Sequence, residues 1–496
     1  MSMNHFKILS EKPAATIISA SMIERRMDAG CFQPTYLKNE SNLLNGRVPY
    51  ARLGSLYKKG NYGSLPDSVD YASDGIALIR GTDLQSMSVN LSEAVRVPEY
   101  YYDQFKKAQI KTGDILMLVK GASIDRSDSV AMFPETDDKA IANGSVFIIR
   151  VNEKTVSSKY LLAVMTSGAF LLQKRRGSSN TGALYNDLDT IKAFIVPLPD
   201  SRIQAFIGCK VTLAEKCREE ANKLHRKINE KVDEFLSQLG IPKIQDKETD
   251  QLTFFAESDE LTNIRLDPKY YRPRFIFTVK NLTSVKHDFL ENIITNCNYG
   301  ASVPSDYVDE GIPFIRGVDL VENRILSGDM CYLSSQLSNK VKRSRVNKND
   351  ILITRSGSVG TTSVVTENHD GYAFGSYMIR FSVNSNYNPF YIASFLNSSY
   401  GKSQTERLRN GAVQENINLE EIGRIVIPWI SREAQDEVER LVRLWIDFSE
   451  KSIGFNTEAK SDVEALIEGK LNTDAILSGK IKAPTWEDIE KELEGI

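Results

Sequence analysis

The chain has 496 residues, of which 41% are hydrophobic and 26% charged, with a formal net charge of −3. That balance suits a globular protein of two or more domains, and no apolar run approaches membrane-spanning length. Five cysteines (Cys31, Cys209, Cys217, Cys297 and Cys331) form no CxxC pair and the four histidines are scattered, which argues against a zinc site or a disulfide framework. The N-terminus lacks a signal-peptide layout, so a cytoplasmic protein with no membrane partner is expected.

The dominant feature along the chain is one long internal repeat. Arg26-Met-Asp-Ala-Gly-Cys-Phe-Gln-Pro34 returns as Arg265-Leu-Asp-Pro-Lys-Tyr-Tyr-Arg-Pro273, and Asn61-Tyr62-Gly63 returns as Asn298-Tyr299-Gly300. Gly75-Ile-Ala-Leu-Ile-Arg-Gly-Thr-Asp-Leu84 returns as Gly311-Ile-Pro-Phe-Ile-Arg-Gly-Val-Asp-Leu320, and Asp114-Ile-Leu as Asp350-Ile-Leu. The offset is 236 from Asp70 to Gly121 and 231 at Val196-Pro197, which matches Ile427-Pro428. Preserved order with a small drift is the mark of a duplicated domain with loop insertions and deletions.

Each repeat begins with short β-rich runs divided by Gly, Asn, Ser and Asp. The first has Gly75 to Leu84, Asp114 to Val119, Val146 to Val151 and Ile191 to Pro197. The second has Gly311 to Leu320, Asp350 to Thr354, Tyr377 to Val383 and Ile422 to Pro428. A long amphipathic helix closes each repeat. Ile203, Ile207, Val211, Ala214 and their successors step by three or four to Leu239, before the stop at Gly240-Ile-Pro242. The second carries Val438, Leu441, Trp445, Phe448, Phe455, Ala459 and Leu466, with Ser452 and Gly454 weakening its middle. Each apolar seam needs a cover, either the other helix as an antiparallel coiled coil or its own domain; the duplication favours the former. The expected divisions are 1–200, the helix 201–240, a polar linker 241–264 with room for a short hairpin, 265–430, the helix 431–470, and an acidic tail 471–496, helical from Trp486.

No paired His, GxSxG or P-loop occurs, and the shared acids Asp83/Asp319 and Asp114/Asp350 lie in strand-like runs. Asn388-Pro-Phe390 lacks the second proline of an amino-methyltransferase motif and reads as a turn into a helix near Tyr391. The duplicated Arg-x-Asp-x-x-[Tyr/Phe], the Ile-Arg-Gly-x-Asp-Leu segment, Asp-Ile-Leu ahead of Arg355-Ser-Gly-Ser-Val-Gly360, and Pro-Leu-Pro199 with Gln204, echoed by Ile427-Pro428 and Gln435, carry a resemblance. In their order the chain, over about residues 20 to 470, resembles the specificity subunits of type I restriction–modification systems. That resemblance implies an α+β chain of two pseudo-repeated mixed α/β target-recognition domains, separated by a long antiparallel two-helix coiled coil. It also implies a non-catalytic subunit that reads a bipartite double-stranded DNA target. Its partners would be two methyltransferase subunits and, in some complexes, a translocating nuclease. S-adenosylmethionine would sit on the methyltransferases, with no cofactor or metal on this chain. The first repeat departs from the pattern at Gly30-Cys31, and Val119 stands where the second has Arg355.

If the domains read different half-sites, shared residues should hold the fold or grip phosphates, and divergent loops should read bases. The shared Arg80 and Arg316 are open between an ion pair with the nearby Asp and a phosphate contact, beside the shared Tyr62 and Tyr299. Divergent candidates in the first repeat are Lys120, Ser123, Lys174, Arg175, Arg176, Asn180 and Tyr185. In the second they are Arg355, Ser356, Ser358, Arg407, Arg409, Asn410, Gln414 and Asn416. Arg suits guanine, and Asn or Gln adenine, in the major groove. The run Lys340, Lys342, Arg343, Arg345 and Lys348 is a solvated face or a phosphate-steering patch. Two other readings stay open: a non-DNA adaptor bridging protein partners, which the near-neutral charge suits, and a self-sufficient enzyme acting on DNA or sugars.

Overall fold

A computed structural model describes the chain except for residues 1–5, 12–13, 23–27, 66–69, 179–183, 245–252, 259–260, 262–264, 305, 329, 412–414 and 494–496. It divides into two compact units. One comprises residues 1–217 and 451–492, the other 218–450 and 493–496, so each unit takes one repeat and a part of both long helices. Among the described residues no helix is long and apolar enough to cross a membrane.

The repeat is structural as well as sequential. In the first unit an antiparallel sheet runs in the order Val130–Met132, Ile115–Leu118, Val146–Val151, Tyr57–Tyr62. In the second the corresponding order is Thr362–Val364, Ile351–Thr354, Met378–Val383, Ile294–Tyr299. Ile115–Leu118 and Ile351–Thr354 are wholly buried, as uninterrupted apolar runs in a two-sided sheet should be. A second sheet contains Ile76–Ile79 parallel to Ala140–Ala142 in one unit and Ile312–Ile315 parallel to Ala373–Phe374 in the other. The strands expected after Ile191 and Ile422 each begin as a helical turn, Leu188–Ala193 and Leu419–Gly423. They become extended only at Ile195–Pro197 and Val426–Pro428.

The shared acids are framework. Asp114, 1% exposed, takes both ends of the Arg150 guanidinium at 2.8 and 2.6 Å. Asp350 takes Arg380 at 3.1 Å and the Ser382 hydroxyl at 2.6 Å. The Asp114–Arg150 pair is bidentate, a strong form where the carboxylate is desolvated; Asp350 instead shares its oxygens between Arg380 and Ser382.

The motif of proline and glutamine at the head of each long helix also has a physical account. The Gln204 side chain accepts from Ser157 N–H at 3.1 Å and donates to the Pro199 carbonyl at 2.9 Å. Gln435 does the same with Asn388 N–H at 2.7 Å and the Ile430 carbonyl at 3.1 Å. Tyr160 and Tyr391 donate to the Pro197 and Pro428 carbonyls at 2.9 and 2.7 Å. Each unit thus ties its head to the start of its long helix through the same buried groups. Asn388 caps the helix Pro389–Asn397, accepting from Phe390 N–H at 2.9 Å, which makes Asn388-Pro-Phe390 the helix start read from sequence.

The long helices span Ser201–Gln238 and Arg432–Ile467. The second is unbroken at Ser452 and Gly454, contrary to the weakening expected there. Ser452 sends its hydroxyl to the Ala214 carbonyl at 2.7 Å, and packing overrides a glycine penalty of about 1 kcal/mol. Within the first unit Lys210 meets Glu458 and Asp462 at 3.0 and 2.8 Å, and within the second Lys231 meets Glu437 at 3.4 Å. In each unit the two segments therefore run antiparallel. Their seams share one core with the head: Ile203, Ile207 and Val211 with Ala459, Val463 and Leu161 in the first. In the second, Ile228 and Val232 join Val438, Leu441 and Ile392. In each unit the seam is covered by the head together with the facing helix segment. The described part of 241–264 contains no strand, and the tail carries helices Thr473–Leu477 and Trp486–Leu493.

Candidate nucleic-acid interface

In each unit the edge strand of the antiparallel sheet ends at the repeated tyrosine, and two loops are bridged beside it. Lys120 pairs with Tyr185 in the first unit, and Ser356 pairs with Asn416 in the second. These are equivalent positions at the offsets of 236 and 231. The next bonds repeat too: Asn186 N–H to the Val119 carbonyl and Ile417 N–H to the Arg355 carbonyl, both 3.0 Å. The same bridge and backbone bond therefore present different side chains in the two units.

Around Tyr62 the partner is aromatic. Tyr185, 37% exposed, stacks on it with ring centroids 6.2 Å apart, and the Tyr62 hydroxyl donates to the Asn186 carbonyl at 3.2 Å. Burial and the neighbouring Tyr185 push the Tyr62 phenol well above its ordinary pKa, so it stays a neutral donor. Beside it lies a cleft of about 670 Å³ lined by Gly60 to Ser64, Asp103 to Ala108, Phe147 and Leu188. Around Tyr299 the partner is cationic. The Arg355 guanidinium lies 4.9 Å from the ring centroid, and the Tyr299 hydroxyl accepts from Leu419 N–H at 3.2 Å. Arg355 Nε is buried and finds no hydrogen-bond partner among the described residues. Lys120 and Ser358 are exposed and Ser123 is half-buried on the same loops. Asn410 and Asn416 exchange backbone bonds of 2.8 Å, and the neighbouring Arg409 pairs with Glu415 at 3.0 Å.

Other candidates prove to hold the fold. Arg80 grips Asp83 through Nε at 3.1 Å and Nη2 at 3.0 Å, and Arg316 grips Asp319 at 2.9 and 2.6 Å. The ion-pair reading of this shared pair is the one seen, and the aspartate bonds raise both guanidinium pKa values further. Arg176 donates to the Cys31 carbonyl at 2.9 Å and pairs with Glu40 at 2.8 Å. Its equivalent Arg407 donates to the Tyr270 carbonyl at 3.1 Å and lies 4.1 Å from that ring centroid. Both arginines fasten the opening segment of their repeat. Arg175 lies 3.6 Å from Asp125.

Lys174 leaves the recognition set altogether. It is 0% exposed and sends Nζ to the Ser129 hydroxyl at 2.7 Å. Burial lowers its pKa to about 7, against the opposing pull of Asp125 and Asp128. Arg26, Asn180 and Gln414 lie outside the described residues.

Two cationic positions escaped the reading of the sequence. Lys106 and Lys107 line the cleft beside Tyr62, and at the same offset stand Lys342 and Arg343. The recurrence was readable in the sequence, but only the basic run of the second repeat stood out.

Residues 296–441 match the family model of the type I restriction modification DNA specificity domain. The match contains Tyr299, Arg355 and Asn416, the residues brought together above. The chain is similar to the specificity subunits of type I restriction–modification systems. It is 21% identical over 386 residues to the type I restriction enzyme EcoBI specificity subunit of Escherichia coli, covering 74% of this chain and 73% of that one. Among solved structures, a type I system S subunit from M. genitalium aligns at 15% identity and TM-score 0.41, covering 86% of this chain and 96% of that one. The HsdS subunit from Thermoanaerobacter tengcongensis aligns at 15% and 0.28, covering 87% and 98%. Among the described residues no group of three or more His, Cys, Asp or Glu is placed to hold a metal.

Proposed function

We propose that the chain reads a split double-stranded DNA target, one half with each unit, as part of a type I restriction–modification complex. The observation that supports this best is the repeated bridge, Lys120 with Tyr185 and Ser356 with Asn416, which sets different side chains on one backbone plan beside an equivalent tyrosine. A shared plan with divergent chemistry is what two half-sites of different sequence require. The helix pair acts as the spacer between half-sites and as the docking face for two methyltransferase subunits, which bring S-adenosylmethionine; a translocating nuclease joins some complexes. The repetition within the chain suits two identical partners.

Long-read mapping of modified bases in the host genome, with the gene intact and deleted, tests the recognition role. Loss of methylation at one split motif is the expected result; no change at any motif moves the adaptor reading to the front. A four-residue insertion within Ile203 to Leu239 lengthens that helix by about 6 Å. The gap in the recognised site should change while both half-sites stay the same, and an unchanged gap sinks the spacer role.

A further inference from the structure

We propose that Lys106 with Lys107, and Lys342 with Arg343, form a DNA-phosphate grip common to both units and separate from the base-reading loops. The inference rests on DNA being the ligand and says which residues hold its backbone.

One exposed lysine pair is ordinarily just a solvated surface. Three observations lift this one above that. The pair recurs at the same offset of 236, although the residues around it differ: Gln104 and Phe105 in one repeat, Lys340 and Val341 in the other. Its placement is fixed by the same backbone bonds. Ala142 donates its N–H to the Ala108 carbonyl and accepts from Ser64 N–H, both at 3.0 Å. In the second unit Phe374 donates to the Ser344 carbonyl at 3.0 Å and accepts from Ala301 N–H at 2.9 Å. One strand thus clamps the end of the basic segment to the chain just past the repeated tyrosine. The Asn298 side chain adds a bond to the Arg343 carbonyl at 2.5 Å. Finally, all four side chains are exposed and make no ion pair among the described residues. Arg80, Arg150, Arg316 and Arg380 are held by carboxylates nearby. These cations are left for an anion from outside. In the first unit they line the cleft that holds Tyr62, with Asp103 the one carboxylate on its wall.

A duplex backbone running past the tyrosine supplies that anion. Because the pair is shared, it grips without reading sequence, while Lys120, Tyr185, Arg355 and Asn416 differ and can read. The test is a salt series of duplex binding, by fluorescence anisotropy, on the assembly purified from its host. It uses a duplex carrying the methylated motif and a scrambled duplex. Alanine at Lys106 and Lys107 together, or at Lys342 and Arg343 together, should weaken both duplexes by the same factor. Each variant should make the slope of log affinity on log salt shallower by about 1–2, since each neutralised phosphate contributes about 0.9. Lys106→Arg with Lys107→Arg should restore the slope. Normal binding with an unchanged slope overturns the grip alone, as does a loss confined to the motif duplex, which would make these residues base readers. A wild-type assembly that binds neither duplex overturns the DNA reading beneath it.

Discussion

Tyr62 and Tyr299 occupy the same strand end, yet one lies against a tyrosine ring and the other beneath a guanidinium. The backbone bridge beside them and the bond next to it recur in both units, while the side chains they present differ. The first unit offers an aromatic and aliphatic-cationic surface, with Lys120 at its edge. The second offers a planar donor fork with Ser356 and Asn416 beside it. Duplication has kept the support and released the reading surface. Below the surface the units differ as well. Lys174 reaches Ser129 where its equivalent Thr405 turns back to the Gly401 carbonyl at 2.9 Å. A Cβ at Gly360, opposite Thr405, would come within 2.6 Å of the threonine methyl, so the second unit has no room for a longer side chain there.

The largest expected effect breaks the shared support. Asp114→Ala or Asp350→Ala removes a buried carboxylate from its arginine, at a cost of about 3–5 kcal/mol. Thermal unfolding should show comparable losses for the two variants, about 6–20 °C for a unit of this size. A loss at only one of them would mean the two supports are not equivalent.

A smaller effect separates the reading surfaces. Arg355→Ala should weaken binding to the motif duplex by about 1–3 kcal/mol, the worth of a specific arginine contact. Tyr185→Ala removes an aromatic pair worth about 0.5–1.5 kcal/mol and should weaken it less. Competition against duplexes altered in one half-site at a time checks both. Equal relaxation at both halves would contradict separate reading.

A further effect is pH-dependent and belongs to the first unit. Burial holds the folded-state pKa of Lys174 near 7, below its value in the unfolded chain. Between those two values the unfolded chain binds the extra proton, so stability rises with pH through this window and the burial cost is greatest below it. Lys174→Met should therefore raise the melting temperature most at pH 6 and least at pH 9, each ~1 kcal/mol moving it by about 2–4 °C. A gain that does not vary with pH would mean the amine is not the source of the cost.

The repeat, the central strands and both long helices were legible because offsets and periodicity survive in one sequence. The support residues were harder to read. Lys174-Arg175-Arg176 looks like a charged loop, but on the helix Gly168–Gly177 residues 170 and 174 share a face, and Phe170 is buried. Phase, not composition, separates the buried lysine from its exposed neighbour. Arg176 and Arg407 could not be told from base readers, because their acceptors are carbonyls far away in sequence. The paired Lys106-Lys107 and Lys342-Arg343 were visible in the alignment of the repeats. Their place beside the tyrosines required the strand that joins them.

The most direct test of separate reading on a shared support is modified-base mapping in a host carrying Arg355→Ala, set against the same host with the intact gene. Methylation should spread to sites altered in one half of a split motif, with the other half and the gap unchanged. An unsplit motif, or relaxation in both halves together, would contradict the account.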